Sequence, residues 1–420
     1  MEPVRPALIW MDRRAAEETE WVKQNVNTNR LREITGNDVV DPYYGYTKVL
    51  WIKNHEPENW QRTKLFLPPN NYVIYKLTGK VSIDYSAAGN IGGFYDINKG
   101  TWSKEMMDAM GVPVDKMPEK FVDATEIAGL ITKEAAQELG VPAGTPVIAG
   151  GIDVGAANIG MGVFQPGRYV AAIGSSMNAA LVSEEPIKGK GLIVWPYPYK
   201  SRQLVYNFSG SATAGAITKW FRDNFGLLEK GVQESGGDNA YVTLGKEAHN
   251  VPAGSRGLVV LPYFMGERAP VWNSNAKGLI FGLSLVHTKA DIFHAFQEAV
   301  CYALRHSIES TGRNLGDYIV IAGGVTNSPD WVQMFADVTG YAVRTPIDDA
   351  EANLGDVMLA GLATGTLTVD EVQQWQVLGK KVEPRRAQHE VYNHYYRLYR
   401  NLYNDLGSDM KDLSELTKIQ

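Results

Sequence analysis

The chain has 420 residues, 44% of them apolar, with a net charge of −6 and a single cysteine. That length allows two or more domains with cores of their own, and the mild acid excess gives no reason to expect nucleic acid or an anionic membrane as a partner. One cysteine excludes an internal disulfide and fits a reducing compartment; with no apolar run of about 18 residues and no signal-peptide core at Met1-Glu-Pro-Val-Arg-Pro, the expected location is the cytoplasm.

In chain order, "RPALIWMDRRAAEETEWVKQNV" reads as a short strand and then a charged helix. "YYGYTKVLWIKNHEP" reads as a helix ended by Glu56-Pro57, and "NNYVIYKLTG" as a helix stopped at Gly79. "TPVIAGG" is a strand closing in glycines, followed by a helix of small residues that begins near Asp153. The pattern changes around Gln165-Pro-Gly167, where a domain boundary is expected: residues 1–165 form one domain and 166–420 the other. "RYVAAIGSSMNAALVSEE" is a hairpin turning at Gly174-Ser175-Ser176. "SGSATAGAITKWFRDNFG" and "DIFHAFQEAVCYALRHSIESTG" are helices, and Cys301 in the second reads as a buried small hydrophobe. "DYIVIAGGVTNSPDWVQMFADVTG" is a buried strand, a double-glycine turn and a helix with Ser328 as cap and Pro329 first. "ANLGDVMLAGLATG" is one more helix with small residues on one face. Near the end, Tyr392, Tyr395, Tyr396, Tyr399 and Tyr403 form a helical stripe, read as a packing face. The alternation of strands and helices argues an α/β fold.

Three strand-to-glycine turns stand out: Gly150-Gly151, Gly174-Ser-Ser176 and Gly323-Gly324. Such turns expose backbone N–H groups, and a following helix adds its positive end, which suits phosphate. They are also common connectors, so the turns alone leave a nucleotide cleft and plain loops both open. The sequence has no G-x-x-x-x-G-K-[ST], no G-x-G-x-x-G with an acid in register and no G-x-S-x-G. The seven histidines are scattered without H-E-x-x-H, so no zinc site is expected. Asp153 stands at a helix start, where it either caps backbone N–H groups or acts as a base that deprotonates a hydroxyl for attack on phosphorus. The small residues behind it, Gly155, Ala156 and Ala157, would then leave room for substrate.

Together these blocks resemble the FGGY family of carbohydrate kinases over essentially the whole chain. "YYGYTKVLWIKNH" is similar to the family's first signature, departing at Gly45 and Ile52, and "GLIFGLSLVHTKADIFHAFQEAV" to its second, departing at Phe296 and Gln297. "LPYFMGERAPVWN" and "IAGGVTNSPDWVQMFADVTG" match further family blocks. The resemblance implies an actin-like, RNase H-like fold of two α/β domains that takes ATP and Mg²⁺. It implies that Asp153 is the catalytic base and a metal-linked residue. Trp10, Tyr43, Asp153 and Val154 would line the sugar; Gly174, Ser175 and Ser176 would form a phosphate hairpin; Gly215, Lys219, Gly323, Gly324 and Ser328 would contact the nucleotide. Plainer readings stand beside some of these, Trp10 and Tyr43 as core and Lys219 as a solvated helix lysine; Asp84 in "IDYSAAG" also matches a family Asp and reads as a local cap or a residue backing the site.

Family members carry a strand, a D-x-G-T hairpin and further elements ahead of the block that opens this chain, so the first domain is expected to be incomplete at its N-terminus. Asp405-Leu-Gly-Ser408 fits that hairpin pattern only by chance, since it has no strand context. Three readings follow: a kinase of this lineage shortened at its start, a non-catalytic sugar- or nucleotide-binding remnant, and a split enzyme. An actin-like or chaperone-type ATPase ranks below them because those lack the "YYGYTKVLW" and "GERAPVWN" blocks. The implied substrate is a small sugar or polyol. "MGERAPVW" and "WMDRRA" lean to xylulose and gluconate kinases, the polar Asn178 suggests a polyol longer than glycerol, Tyr43 leans to glycerol, and Val154 matches the residue usual in neither glycerol nor xylulose kinases; a ketopentose such as xylulose is favoured, with gluconate, glycerol or another polyol behind it. A homodimer is compatible with this reading.

Overall fold

The computed structural model describes residues 1–347 and 352–417. The helix expected from the first signature runs over Gly45–His55 (α1), and Pro57 opens a separate short helix after it. Tyr85–Ile91 (α2) starts at Asp84, whose carboxylate accepts the Ala87 N–H as an N-cap. Ile127–Leu130 (β1) and Pro146–Ile148 (β2) pair antiparallel, and Asp153–Gly160 (α3) follows the two glycines. Next come Tyr169–Ile173 (β3), Met177–Ser183 (β4), Ile193–Pro196 (β5), Val205–Ser209 (β6) and the helix Gly215–Phe225 (α4). The long helix Lys289–Ser310 (α5) precedes Ile319–Ala322 (β7), Pro329–Thr339 (α6) and Val343–Arg344 (β8). Ala352–Thr364 (α7) and Arg386–Thr417 (α8) complete the elements used below.

Six strands share one sheet of order β8-β7-β3-β4-β6-β5. β3 and β7 are parallel with Ala172 opposite Ala322, and β3 turns into β4 with Ile173 opposite Met177. Both inner strands read as almost unbroken apolar runs and are buried, the pattern of strands covered on both faces. Because β3 and β7 run the same way, the Gly174 hairpin and the Gly323-Gly324 turn emerge at the same end of neighbouring strands.

The strand expected over the opening "PALIW" does not form. Ile9, Trp10 and Met11 are 59%, 55% and 60% exposed, and no strand among the described residues pairs with them. An apolar run without a neighbouring strand leaves its backbone groups to water and gains no ladder. The D-x-G-S pattern at 405–408 lies inside α8, as its lack of strand context required.

Two compact units divide the chain. The first comprises Met1–Pro166, Val182–Asn207 and Ala350–Gln376; the second comprises Gly167–Leu181, Phe208–Asp349 and Val377–Gln420. In the first, Ile74, Val122, Ala128 and Ala149 form a core cluster under β1 and β2. The core of the second is built on α5, where Phe293, Phe296, Val300, Cys301 and Leu304 are all buried. Full burial of each such side chain contributes about 1.5–3 kcal/mol. The tyrosine stripe of α8 closes this core: Tyr392, Tyr396 and Tyr399 are buried with their rings 5.5–6.2 Å from that of Tyr302. No helix among the described residues is long and apolar enough to cross a membrane.

Candidate active site

In the first unit the site residues gather around α2 and α3. Asp153 is the first residue of α3, and Ile152 before it provides no side-chain cap. The Asp153 carboxylate is exposed and, among the described residues, accepts only the N–H of Val154, at 2.7 Å. It therefore stands at the positive end of a helix with most of its lone pairs available. Its backbone is held from beneath. The Ile152 N–H donates to Ser86 Oγ at 3.1 Å, and the Ser86 hydroxyl donates in turn to Asp84. Asp84 is 1% exposed and also accepts from Ala87 N–H and Asn70 Nδ2, both at 2.8 Å. Burial raises the Asp84 carboxyl above its ordinary value, and those donors oppose the rise. Asp84 is thus the local cap expected, and Ser86 is a link to Asp153 that the sequence did not single out.

The other end of α2 meets the aromatic pair. Asn90 lies one turn beyond Ser86 on the same face, and the Tyr43 hydroxyl donates to its Oδ1 at 3.5 Å. The rings of Trp10 and Tyr43 meet edge to face at 6.4 Å. Lys48 of α1 fixes that turn by donating to the carbonyls of Pro42 and Tyr43 at 2.6 and 2.8 Å. Burial lowers the Lys48 ammonium to about 8. One expectation is corrected here. The small residues after Asp153 serve packing rather than leaving space: a Cβ on Gly155 would fall 2.5 Å from Pro198, and Ala156 is covered by α7, where a Cβ on Gly355 would fall 1.8 Å from the Ala156 carbonyl oxygen. This close fit puts Asp356 of α7 within electrostatic reach of Asp153. Partial burial, and then the charge of Asp153, raise the Asp356 carboxyl.

In the second unit the hairpin, α4 and the Gly323-Gly324 turn converge. Ala214 and Ala216 donate to the Ser175 carbonyl at 2.9 and 3.0 Å, and Gly215 donates to the Gly174 carbonyl at 2.8 Å. A Cβ on Gly215 would fall 2.5 Å from that Gly174 oxygen, so only glycine allows the approach. Gly323 has φ +93°, and a Cβ there would fall 2.5 Å from the Ile173 carbonyl oxygen. Gly174, Ser175, Gly323 and Gly324 are exposed. Lys219 is exposed on α4, one turn from Gly215, and makes no ion pair among the described residues. Ser328 caps α6 by accepting the Trp331 N–H at 3.4 Å. The unit thus presents backbone donors, a helix N-terminus and glycines at one end of its sheet, the arrangement that takes phosphate groups.

Two family models match this chain, the FGGY carbohydrate kinase N-terminal domain over residues 1–160 and the C-terminal domain over residues 170–364. The chain belongs to the FGGY family of carbohydrate kinases. It is accordingly a phosphotransferase that uses ATP and acts on a small carbohydrate, with the two-domain actin-like fold of the family. It is 26% identical over 410 residues to a xylulose kinase of Staphylococcus xylosus, covering 96% of this chain and 81% of that one. It is 28% identical over 341 residues to a gluconokinase of Bacillus subtilis, covering 80% and 66%. The crystal structure of the xylulose kinase from Rhodospirillum rubrum superposes with a TM-score of 0.86 at 28% identity, covering 97% of this chain and 81% of that one.

Proposed function

We propose that the chain phosphorylates a ketopentose such as xylulose, with Asp153 as the base. The observation that carries the role of Asp153 is its geometry: an exposed carboxylate at a helix start, with its backbone held through Ser86 to a buried Asp84. A base must stay open to its substrate while its direction is fixed, and this arrangement supplies both. Similarity to xylulose kinases supports the choice of sugar.

In this reading the Trp10 and Tyr43 rings, with Val154, line the sugar, and the Tyr43 hydroxyl and Asn90 offer polar partners to its hydroxyls. Asp153 accepts the proton of the attacking hydroxyl. Ser175 and Ser176 donate backbone N–H groups to phosphate oxygens as negative charge shifts during transfer. Gly174 and Gly324 let the nucleotide approach the backbone; Gly215 and Gly323, whose Cβ positions are taken by the Gly174 and Ile173 carbonyls, hold the turns beside it, and Lys219 and Ser328 flank it. Mg²⁺ binds through one or two carboxylates together with substrate phosphates, and the neighbouring Asp153 and Asp356 fit such a donor set. Mg²⁺-ATP supplies the transferable phosphoryl group and part of the charge neutralisation. A panel of xylulose, gluconate and glycerol, followed by ADP release, tests the substrate. Xylulose is expected to give the highest kcat/KM; a higher value for gluconate or glycerol would overturn the assignment.

A further inference from the structure

A planar trans peptide holds its C=O and N–H on opposite sides. The three bonds from residues 214–216 fasten the carbonyls of Gly174 and Ser175 toward α4, so the N–H groups of Ser175 and Ser176 are turned the other way. Among the described residues neither N–H has a protein acceptor. These donors are only as well aimed as the segment that fastens their carbonyls.

That segment is tied to Glu267 of the Gly-Glu-Arg triplet, 56 residues from Ser211 in the chain. Glu267 is 7% exposed. One carboxylate oxygen accepts the Ser211 hydroxyl at 2.7 Å, and the other accepts the N–H groups of Ala212 and Arg268, both at 2.8 Å. Around it, Gly210 donates to the Ala269 carbonyl at 3.0 Å, and the Ser211 carbonyl accepts from Met177 N–H at 3.0 Å and from the Arg268 guanidinium at 3.1 Å. Beside Glu267 lies a cavity of about 10 Å³, bordered also by Ser211, His306, Ser307, Tyr263 and Tyr399. Its lining is mixed, with Met177, Ala269, Pro270, Val271 and Ala303 on the apolar side, and its size suits at most a single water beside the carboxylate.

We propose that Glu267 is a positioning residue for phosphate binding: through Ser211 and Ala212 its buried carboxylate fixes the segment that aims the Ser175 and Ser176 N–H groups at the nucleotide. The assignment rests on the reading of 174–176 as the phosphate hairpin. Glu267 does not touch the nucleotide; it acts through two residues and three backbone bonds. Its effect is therefore specific to the phosphate part of the ligand.

The test compares ATP with adenosine, which lacks the phosphates, by calorimetric titration of the full chain with Mg²⁺ present. Glu267→Gln is expected to weaken ATP about tenfold or more while adenosine stays within about twofold, in line with losing a charged acceptor from buried donors. Equal weakening of both ligands, or none, would overturn the assignment. Ser211→Ala removes one donor without altering charge and should shift ATP alone, by about threefold. If Glu267→Gln does not fold, Ser211→Ala decides: selective loss of ATP upholds the proposal and an unselective or absent change refutes it. A wild-type chain that binds adenosine and ATP with equal strength would sink the hairpin reading itself, and the role of Glu267 with it.

Discussion

The region proposed to accept the proton in the first unit and the region proposed to hold phosphate in the second are built alike underneath and oppositely on top. Each rests on a buried carboxylate that works through a serine: Asp84 through Ser86 to the Ile152 backbone, and Glu267 through Ser211 to the segment before α4. On the first, the exposed group is a carboxylate, Asp153. On the second, the exposed groups are uncharged N–H donors on a glycine-serine turn. The contrast follows from what each must do. A base needs an ionisable group with free lone pairs, whereas transferring phosphate oxygens need donors already oriented before charge shifts among them. In both regions, on the proposed reading, a buried acid holds the backbone that carries the exposed groups.

The largest expected break in this comparison is at Asp153. Asp153→Asn keeps the shape but removes the proton acceptor, and turnover should fall about 10²–10⁴-fold in an ADP-release assay. A loss below tenfold would place the base elsewhere. Next is the close approach at Gly215. A Cβ there overlaps the Gly174 carbonyl, and overpacking of this kind costs about 1–3 kcal/mol, so Gly215→Ala should weaken ATP by about tenfold while leaving the xylulose affinity unchanged. Asp84→Ala sharpens the other side. It removes a cap and leaves the Ser86 link unsupported, so denaturation should show a loss of about 2 kcal/mol, and turnover should drop less than in Asp153→Asn.

A further effect is expected in pH dependence. Burial pushes the Glu267 carboxyl up to about 7 from 4.5, against the pull of its donors from Ser211, Ala212 and Arg268. The folded chain then holds a proton that the unfolded chain releases, so this group's contribution to stability declines as pH rises from 4.5 to 7, by up to about 3 kcal/mol. His294, lowered by burial to about 4, acts in the other direction, its contribution being lost as pH falls from 6.5 toward 4. Comparing denaturation at pH 5 and 7.5 in wild type and Glu267→Gln isolates the first contribution. From pH 5 to 7.5 the variant's stability should rise relative to that of wild type, and parallel profiles would contradict this contribution.

The elements that define both regions were largely legible because their signals are local. The turn at 174–176 lies between two apolar runs, Ser328-Pro329 opens α6, and the tyrosine stripe of α8 packs as its spacing implied. What could not be read depends on partners distant in the chain. The opening apolar run looked like a strand, but a strand needs a neighbour and this one has none among the described residues. The small residues after Asp153 looked like room for substrate until Pro198 and Gly355 filled it. Glu267 and Asp356 sat inside recognisable blocks with nothing local to indicate that one reaches Ser211 and the other feels Asp153.

The division of labour between the two regions is tested most directly by titrating ATP into Asp153→Asn and Gly215→Ala side by side. Asp153→Asn is expected to bind ATP without Mg²⁺ within about threefold of wild type while its turnover falls about 10²–10⁴-fold, whereas Gly215→Ala loses ATP affinity by about tenfold. If Asp153→Asn lost ATP affinity as severely as Gly215→Ala, the separation of proton acceptor from phosphate donors would be contradicted.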